Sequence, residues 1–238
     1  MTKFIAVVSG KGGTGKTTTA INLATALNAF GRDTLLVDCH LKSPHIALYL
    51  GAPNVESTIH DVLKGRKKIR ESAYIHASGV RVVPGSISPK KHEGINIEKI
   101  SKHLRELTGA SEVVIIDTGN DPKELSEILK IADEVVVVAN PDIVSATEAL
   151  KAVKKAEEAG ATVVGVVLNK VRGVRGEMTV DSVQSLLNKP VIGMIPDDNS
   201  VSESVHLRYP VVYSHPKSSA TKGFKVLASK LIGDEYLA

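Results

Sequence analysis

The residues best suited to chemistry stand together near the N-terminus, in the run Ser9-Gly10-Lys11-Gly12-Gly13-Thr14-Gly15-Lys16-Thr17-Thr18. Gly10 to Thr17 match G-x-x-x-x-G-K-[ST], the pattern of a phosphate-binding loop. Glycines let such a loop fold tightly, so that successive N–H groups point at phosphate oxygens. A helix that follows adds unpaired N–H groups and the positive end of its dipole. Lys16 is positioned by the pattern to reach the β- and γ-phosphates, and the Thr17 hydroxyl to sit on Mg²⁺. The alternative, a glycine-rich turn that carries a lysine by chance, is disfavoured by the apolar run before the loop and the helical pattern after it.

Two further positions fit the same chemistry. Asp117 closes Glu-Val-Val-Ile-Ile-Asp, an acid after four apolar residues, which is the Walker B arrangement for Mg²⁺. A capping or loop aspartate is the other reading. Asn169 closes a Val/Leu run, and its amide offers a donor and an acceptor side by side, as the edge of adenine requires. An asparagine ending a strand in a turn is the alternative. Asn169-Lys170 resembles the Asn-Lys-x-Asp of GTPases, but position 172 is Arg172, so guanine specificity is not expected.

These residues need elements to hold them. Residues 4–8, 34–37, 80–84, 113–116, 134–139, 163–168 and 191–195 read as strands. Residues 16–31, 59–64, 97–107, 123–131, 143–159, 179–187 and 221–231 read as helices. The strands are unbroken Val/Ile runs, as strands buried on both faces are. Their alternation with helices predicts an α/β fold, a single-domain three-layer sandwich with a mostly parallel, doubly wound sheet over residues 1–238. Ligands of such sheets bind at the carboxyl ends of strands, where Asp38, Asp117 and Asn169 are expected.

Composition agrees. The 238 residues are 42% hydrophobic, a globular composition, and no apolar run approaches a membrane span. One cysteine, Cys39, excludes a disulfide framework and any cysteine-built metal cluster. A cytoplasmic location is expected, with peripheral membrane contact as an open possibility. The net charge is +4, and one basic cluster runs from Lys64 to Arg70. That cluster suits DNA or anionic lipid, but a solvated helix end and loop is the more common explanation.

Lys11 is not required by an ordinary phosphate loop. With it, the loop resembles that of the MinD/ParA family of deviant Walker A ATPases, and the likeness extends over most of the chain. The element Arg175-Gly176-Glu177-Met178 and the run Ile195-Pro196-Asp197-Asp198 favour the MinD branch. The resemblance implies an ATP-dependent homodimer in which Lys11 reaches the partner subunit's nucleotide. It implies that Asp38 supports the Mg²⁺ shell, that the Asp117-Thr118-Gly119 segment senses the γ-phosphate, and that Asn169 with the Pro196-Asp197-Asp198 loop lines the adenine pocket. ATP/ADP and Mg²⁺ are the cofactors implied, with a regulatory protein as partner. ParA-type binding to DNA is the runner-up.

Two departures from the family pattern matter. The family's second acid of the first switch falls at His40, so three accounts compete: His40 substitutes, hydrolysis is very slow, or a partner supplies the missing group. After Gly119, Asn120 and Asp121 replace the usual small residues, and Asp121 before Pro122 suits a helix cap. The C-terminal positions 224, 227, 228 and 231 share one helical face, read as core-facing rather than as a membrane anchor.

Overall fold

Strand propensity and burial agree along the centre of the sheet. The computed structural model describes residues 1–233. Its strands are β1 (Lys3–Val8), β2 (Thr34–Cys39), β3 (Tyr74–Ile75), β4 (Arg81–Val83), β5 (Val113–Thr118), β6 (Glu134–Ala139), β7 (Thr162–Val171) and β8 (Val191–Pro196). They form one sheet in the order β3-β4-β2-β5-β1-β6-β7-β8. All neighbours are parallel except β3, which pairs antiparallel with β4.

Period-two geometry divides each strand between two cores. On β1, Phe4, Ala6 and Val8 face one layer, while Ile5 and Val7 face the other. On β5, Val114 and Ile116 take the first side and Val113 and Ile115 the second. The second layer is built by α1 (Lys16–Ala29), α10 (Val211–Ser214) and α11 (Ser219–Ile232), with α2 (Ile46–Tyr49) and α9 (Asn199–Leu207) beside them. The first is built by α3 (Ile59–Leu63), α5 (Ile100–Arg105), α6 (Pro122–Leu129), α7 (Ile143–Glu158) and α8 (Val180–Leu187). The short α4 (Pro89–His92) is fully on the surface side of this layer, with no buried residue.

The structure revises several boundaries. Asp38 and Asp117 are the penultimate residues of β2 and β5, and Asn169 lies within β7; none of them stands after its strand. The helix expected over 97–107 is a 3-10 turn, Ile97–Lys99, followed by the short α5. α1 ends two residues early because Gly31 turns left-handed at φ 79. Edge strand β3 and helices α2, α9 and α10 carry too little periodicity to be read from sequence.

The basic residues Arg66, Lys67 and Lys68 lie exposed in the loop after α3. Lys67 is 3.6 Å from Glu56 and Lys68 3.9 Å from Glu71. Among the described residues, no helix is long and apolar enough to cross a membrane. Phe224, Leu227 and Ala228 of α11 are buried and Leu231 half-buried, packed into the second core as expected; Asp234 to Ala238 lie outside the described residues.

Close approach fixes α11. A Cβ on Gly223 would lie 2.7 Å from the Met194 carbonyl oxygen of β8, so only glycine allows the helix to sit this near the strand. The next residue, Phe224, is fully buried between them. Phe224→Ala is expected to lower stability by about 3–5 kcal/mol, read by chemical denaturation.

Candidate functional site

β1 carries the glycine-rich loop out of the sheet between β5 on one side and β6 on the other. Two contacts fix the loop's path. A Cβ on Gly10 would fall 1.9 Å from the Glu148 carbonyl oxygen, so the loop's first glycine lies directly against the backbone of α7. A Cβ on Gly15 would fall 2.1 Å from Asn169 Nδ2. Gly13 and Gly15 adopt φ 79 and φ 96, conformations that glycine supplies without strain.

Lys16 is buried at the base of this loop. Its Nζ donates to Ser9 Oγ at 3.0 Å and to Asn120 Oδ1 at 2.8 Å. Burial pulls its pKa below the ordinary lysine value, and the nearby Asp117 charge works the other way. Ser9 Oγ in turn donates to the Lys11 carbonyl at 2.7 Å, closing the loop on itself.

The register of β2 on β5 sets Asp38 directly beside Asp117, and both are fully buried. Asp117 Oδ2 accepts from Thr17 Oγ1 at 2.7 Å, while its Oδ1 has no partner. Burial pushes the Asp117 carboxyl up to about 7, against the Thr17 hydrogen bond and the Lys16 charge. Burial and the Asp117 charge likewise raise Asp38 well above the usual carboxylate range. Its oxygens accept from the His40 amide at 3.2 Å and the Ile46 amide at 3.1 Å. Two buried carboxylates side by side, one oxygen orphaned and a threonine hydroxyl adjacent, form a place where positive charge is missing. Among the described residues no group of three or more His, Cys, Asp or Glu could hold a metal alone. The donor set therefore fits Mg²⁺, which takes one or two carboxylates and completes its shell with water and phosphate oxygens.

A cavity of about 590 Å³ opens over the loop. Gly12, Gly13, Gly15, Lys16, Thr17 and Thr18 line it, with His40 and Asn120 from the β2 and β5 side and Asn169, Pro196, Asp197 and Asp198 from the β7 and β8 side. Its volume lies within the range of small-molecule sites. Asn169 Nδ2 donates to the Thr14 carbonyl at 2.7 Å and so tethers the loop as well as facing the cavity. Asp198 caps α9 through the Ser200 amide at 2.9 Å and also accepts from Ser219 and the Ala220 amide. Partial burial opposes those bonds, yet they hold its carboxyl below the usual carboxylate range. Asp198 thus ties three segments together at the rim.

Lys11 and Gly10 do not line the cavity. Lys11 is half-exposed, and its Nζ lies 3.7 Å from Asp142 Oδ1 at the start of α7. His40 is half-buried; burial, Lys16 and His45 bring its pKa to about 4, so the ring is neutral at physiological pH. The His40 and His45 rings meet edge to face at 5.6 Å.

Three features escape sequence reasoning. Asn120 supplies a ligand to Lys16 across the sheet. Glu124 is fully buried without a side-chain hydrogen-bond partner, its carboxylate facing the Leu41 and Lys42 backbone amides. Its Oε2 would be 2.4 Å from a Cβ on Gly119, whose other neighbour is the His40 ring, so Gly119 is wedged between them. Lys170 takes φ 60 at the bulge of β7 and donates to the Gly13 carbonyl at 3.1 Å. Asp121 does cap α6, accepting from the Lys123 amide at 2.8 Å, and it also pairs with Lys42 Nζ at 2.5 Å. The Asp-Pro pair signalled the cap; nothing local signalled the ion pair.

A strand, a glycine loop ending in Lys-Thr, a helix and a buried aspartate on the neighbouring strand define a P-loop nucleotide-binding protein of the doubly wound α/β type. Residues 5–209 match the CobQ/CobB/MinD/ParA nucleotide binding domain, and the chain belongs to that family. It is 34% identical to an uncharacterised ATP-binding protein of Methanocaldococcus jannaschii, over 98% of this chain and 89% of the relative. It is similar to the septum site-determining protein MinD of Pyrococcus horikoshii, solved with Mg-ADP (31% identity, TM-score 0.91, 97% of this chain and 96% of that one). The cell division ATPase MinD of Pyrococcus furiosus matches at 30% identity and TM-score 0.93, over 98% and 99% of the two chains.

The strained pair of carboxylates gives a direct expectation. Asp117→Asn should stabilise the metal-free, nucleotide-free protein by about 0.5–2 kcal/mol, because function holds this site away from its stability optimum. The same variant should lose the rise in melting temperature that Mg²⁺ adds in the presence of ADP. Thermal denaturation in the four conditions measures both.

Proposed function

We propose that this chain is an ATP- and Mg²⁺-dependent dimerising switch of the MinD type, acting in the cytoplasm in spatial regulation such as placement of a division site. The observation that carries the dimer is the position of Lys11. It belongs to the phosphate loop by sequence, yet its ammonium turns away from the loop's own cavity toward Asp142. Both partners of that 3.7 Å contact are partly exposed, so the contact is weak and readily exchanged for a phosphate on a second subunit.

The loop amides and Lys16 bind the phosphates, and Asn169 with the Pro196-Asp197-Asp198 loop lines the base end of the cavity. Thr17 and Asp117, with Asp38 behind, hold Mg²⁺, which offsets charge on the phosphate oxygens when bound. Closure of two subunits on ATP creates a surface for a regulatory protein, and hydrolysis to ADP and phosphate releases it. With Lys11→Ala, ATP and Mg²⁺ should leave the protein monomeric by light scattering, while ADP affinity stays within about threefold. Persistence of the ATP-dependent dimer would refute the sandwich.

A second reading, a nucleotide switch with little intrinsic hydrolysis, is favoured by His40. The ring stands where the family places a carboxylate, and as a neutral imidazole it is a weaker anchor for the attacking water. His40→Asp should then raise steady-state ATP turnover by about 10–100-fold with ATP affinity little changed, since a positioned base contributes on the order of that factor or more. Equal or lower turnover in that variant would show that His40 is the competent group.

A further inference from the structure

We propose that the side chain of Asn120 recognises the γ-phosphate, making this residue the one that distinguishes a triphosphate from a diphosphate in this chain. The proposal deepens the nucleotide-switch reading above and rests on it.

An ammonium only donates, so the 2.8 Å contact from Lys16 Nζ must be received by the Asn120 oxygen, not its nitrogen. That fixes the carboxamide with its NH₂ group turned the other way. The Nδ2 atom is the nearest group to a Cβ built on Gly12, at 3.4 Å, so it lies over the middle of the phosphate loop. Lys16 has three N–H donors and spends two, on Ser9 and Asn120, which leaves one for a phosphate oxygen. A phosphate bound there meets the remaining lysine donor and the two amide donors of Asn120 together. Lys16 therefore both binds and aims.

Strand order shows which phosphate this is. The loop on β1 stands between β5 and β2 on one side and β6, β7 and β8 on the other. Asn169 and Pro196 come from β7 and β8 and stand at the base end; Asp117 and Asp38 come from β5 and β2 and stand at the Mg²⁺ end. Asn120 follows β5 and lines the cavity from that end, so its amide faces the terminal phosphate rather than the base.

The neighbouring residue gives the contact a consequence. Asp121 caps α6 and pairs with Lys42 of the loop after β2. A γ-phosphate that draws in Asn120 thereby acts on a segment already tied to the His40 loop. An amide in this position donates to the γ-phosphoryl oxygens and accepts from a water beside them, the division of labour a carboxamide can perform and a small apolar residue cannot.

The test compares affinities for Mg-ADP and Mg-AMPPNP, a non-hydrolysable triphosphate, by calorimetry in wild type, Asn120→Ala and Asn120→Gln. Wild type is expected to prefer AMPPNP. Asn120→Ala should lower that preference at least fivefold, with an unchanged circular dichroism spectrum showing that the variant is folded; Asn120→Gln, with the amide retained, should recover part of it. A preference in Asn120→Ala that falls by less than fivefold, or loss of ADP and AMPPNP binding in equal proportion, overturns the proposal. Failure of wild type to bind either nucleotide overturns the underlying nucleotide reading as well, and so is distinguishable from failure of the Asn120 assignment alone.

Discussion

A buried ammonium and two buried carboxylates meet at the carboxyl edge of three adjacent parallel strands, and the rest of the site is arranged around that unbalanced charge. Lys16, Asp117 and Asp38 come from the loop and helix after β1, from β5 and from β2. Taking such groups out of water costs several kcal/mol each unless partners replace the lost hydration. Lys16 finds Ser9 and Asn120, and Asp38 finds backbone amides. Asp117 retains one orphaned oxygen beside a second carboxylate. The protein is thus held short of its own electrostatic optimum at this edge of the sheet. A cation bound at that deficit would stabilise the folded state.

The loop is held from both sides of the sheet. The loop is pinned where a Cβ could not fit, at Gly10 against α7 and at Gly15 against Asn169. Asn169 and Lys170 hold its carbonyls from the β7 side. From the opposite side Asn120 and Asp117 hold Lys16 and Thr17, and the exposed Lys42 ties the loop after β2 to Asp121. Exposed ion pairs contribute about 0–1 kcal/mol.

The His40 region carries the chemistry that sets this chain apart from its family pattern. Its ring is neutral because burial, the Lys16 charge and the neighbouring His45 disfavour a positive charge on it. Glu124 places a buried carboxyl behind Gly119, raised to about 7 by burial and by Asp121 against the Lys42 charge and the Leu41 and Lys42 amides. Groups with shifted pKa values thus stand on both sides of Gly119, on the loop after β2 and on α6.

Sequence alone determined the strand-loop-helix unit, the buried parallel sheet and the loop residues Gly10 to Thr18, because these rest on local patterns: a fixed motif, unbroken Val/Ile runs and helical periodicity. The family departures at His40 and Asn120 were also legible as letters. Their surroundings were not. That Asn120 holds Lys16, that Gly10 abuts Glu148, that Glu124 is sealed behind Gly119 and that Lys42 reaches Asp121 are contacts between residues 79 to 138 positions apart for the pairs Lys42–Asp121, Lys16–Asn120 and Gly10–Glu148. Local propensity says nothing about such pairs; the strand order and register bring them together. The short elements β3, α2, α9 and α10 were lost for the same reason, since packing and not periodicity stabilises them. The sequence named the phosphate cradle, and the tertiary structure decided what stands around it and which of its charges are left without a partner.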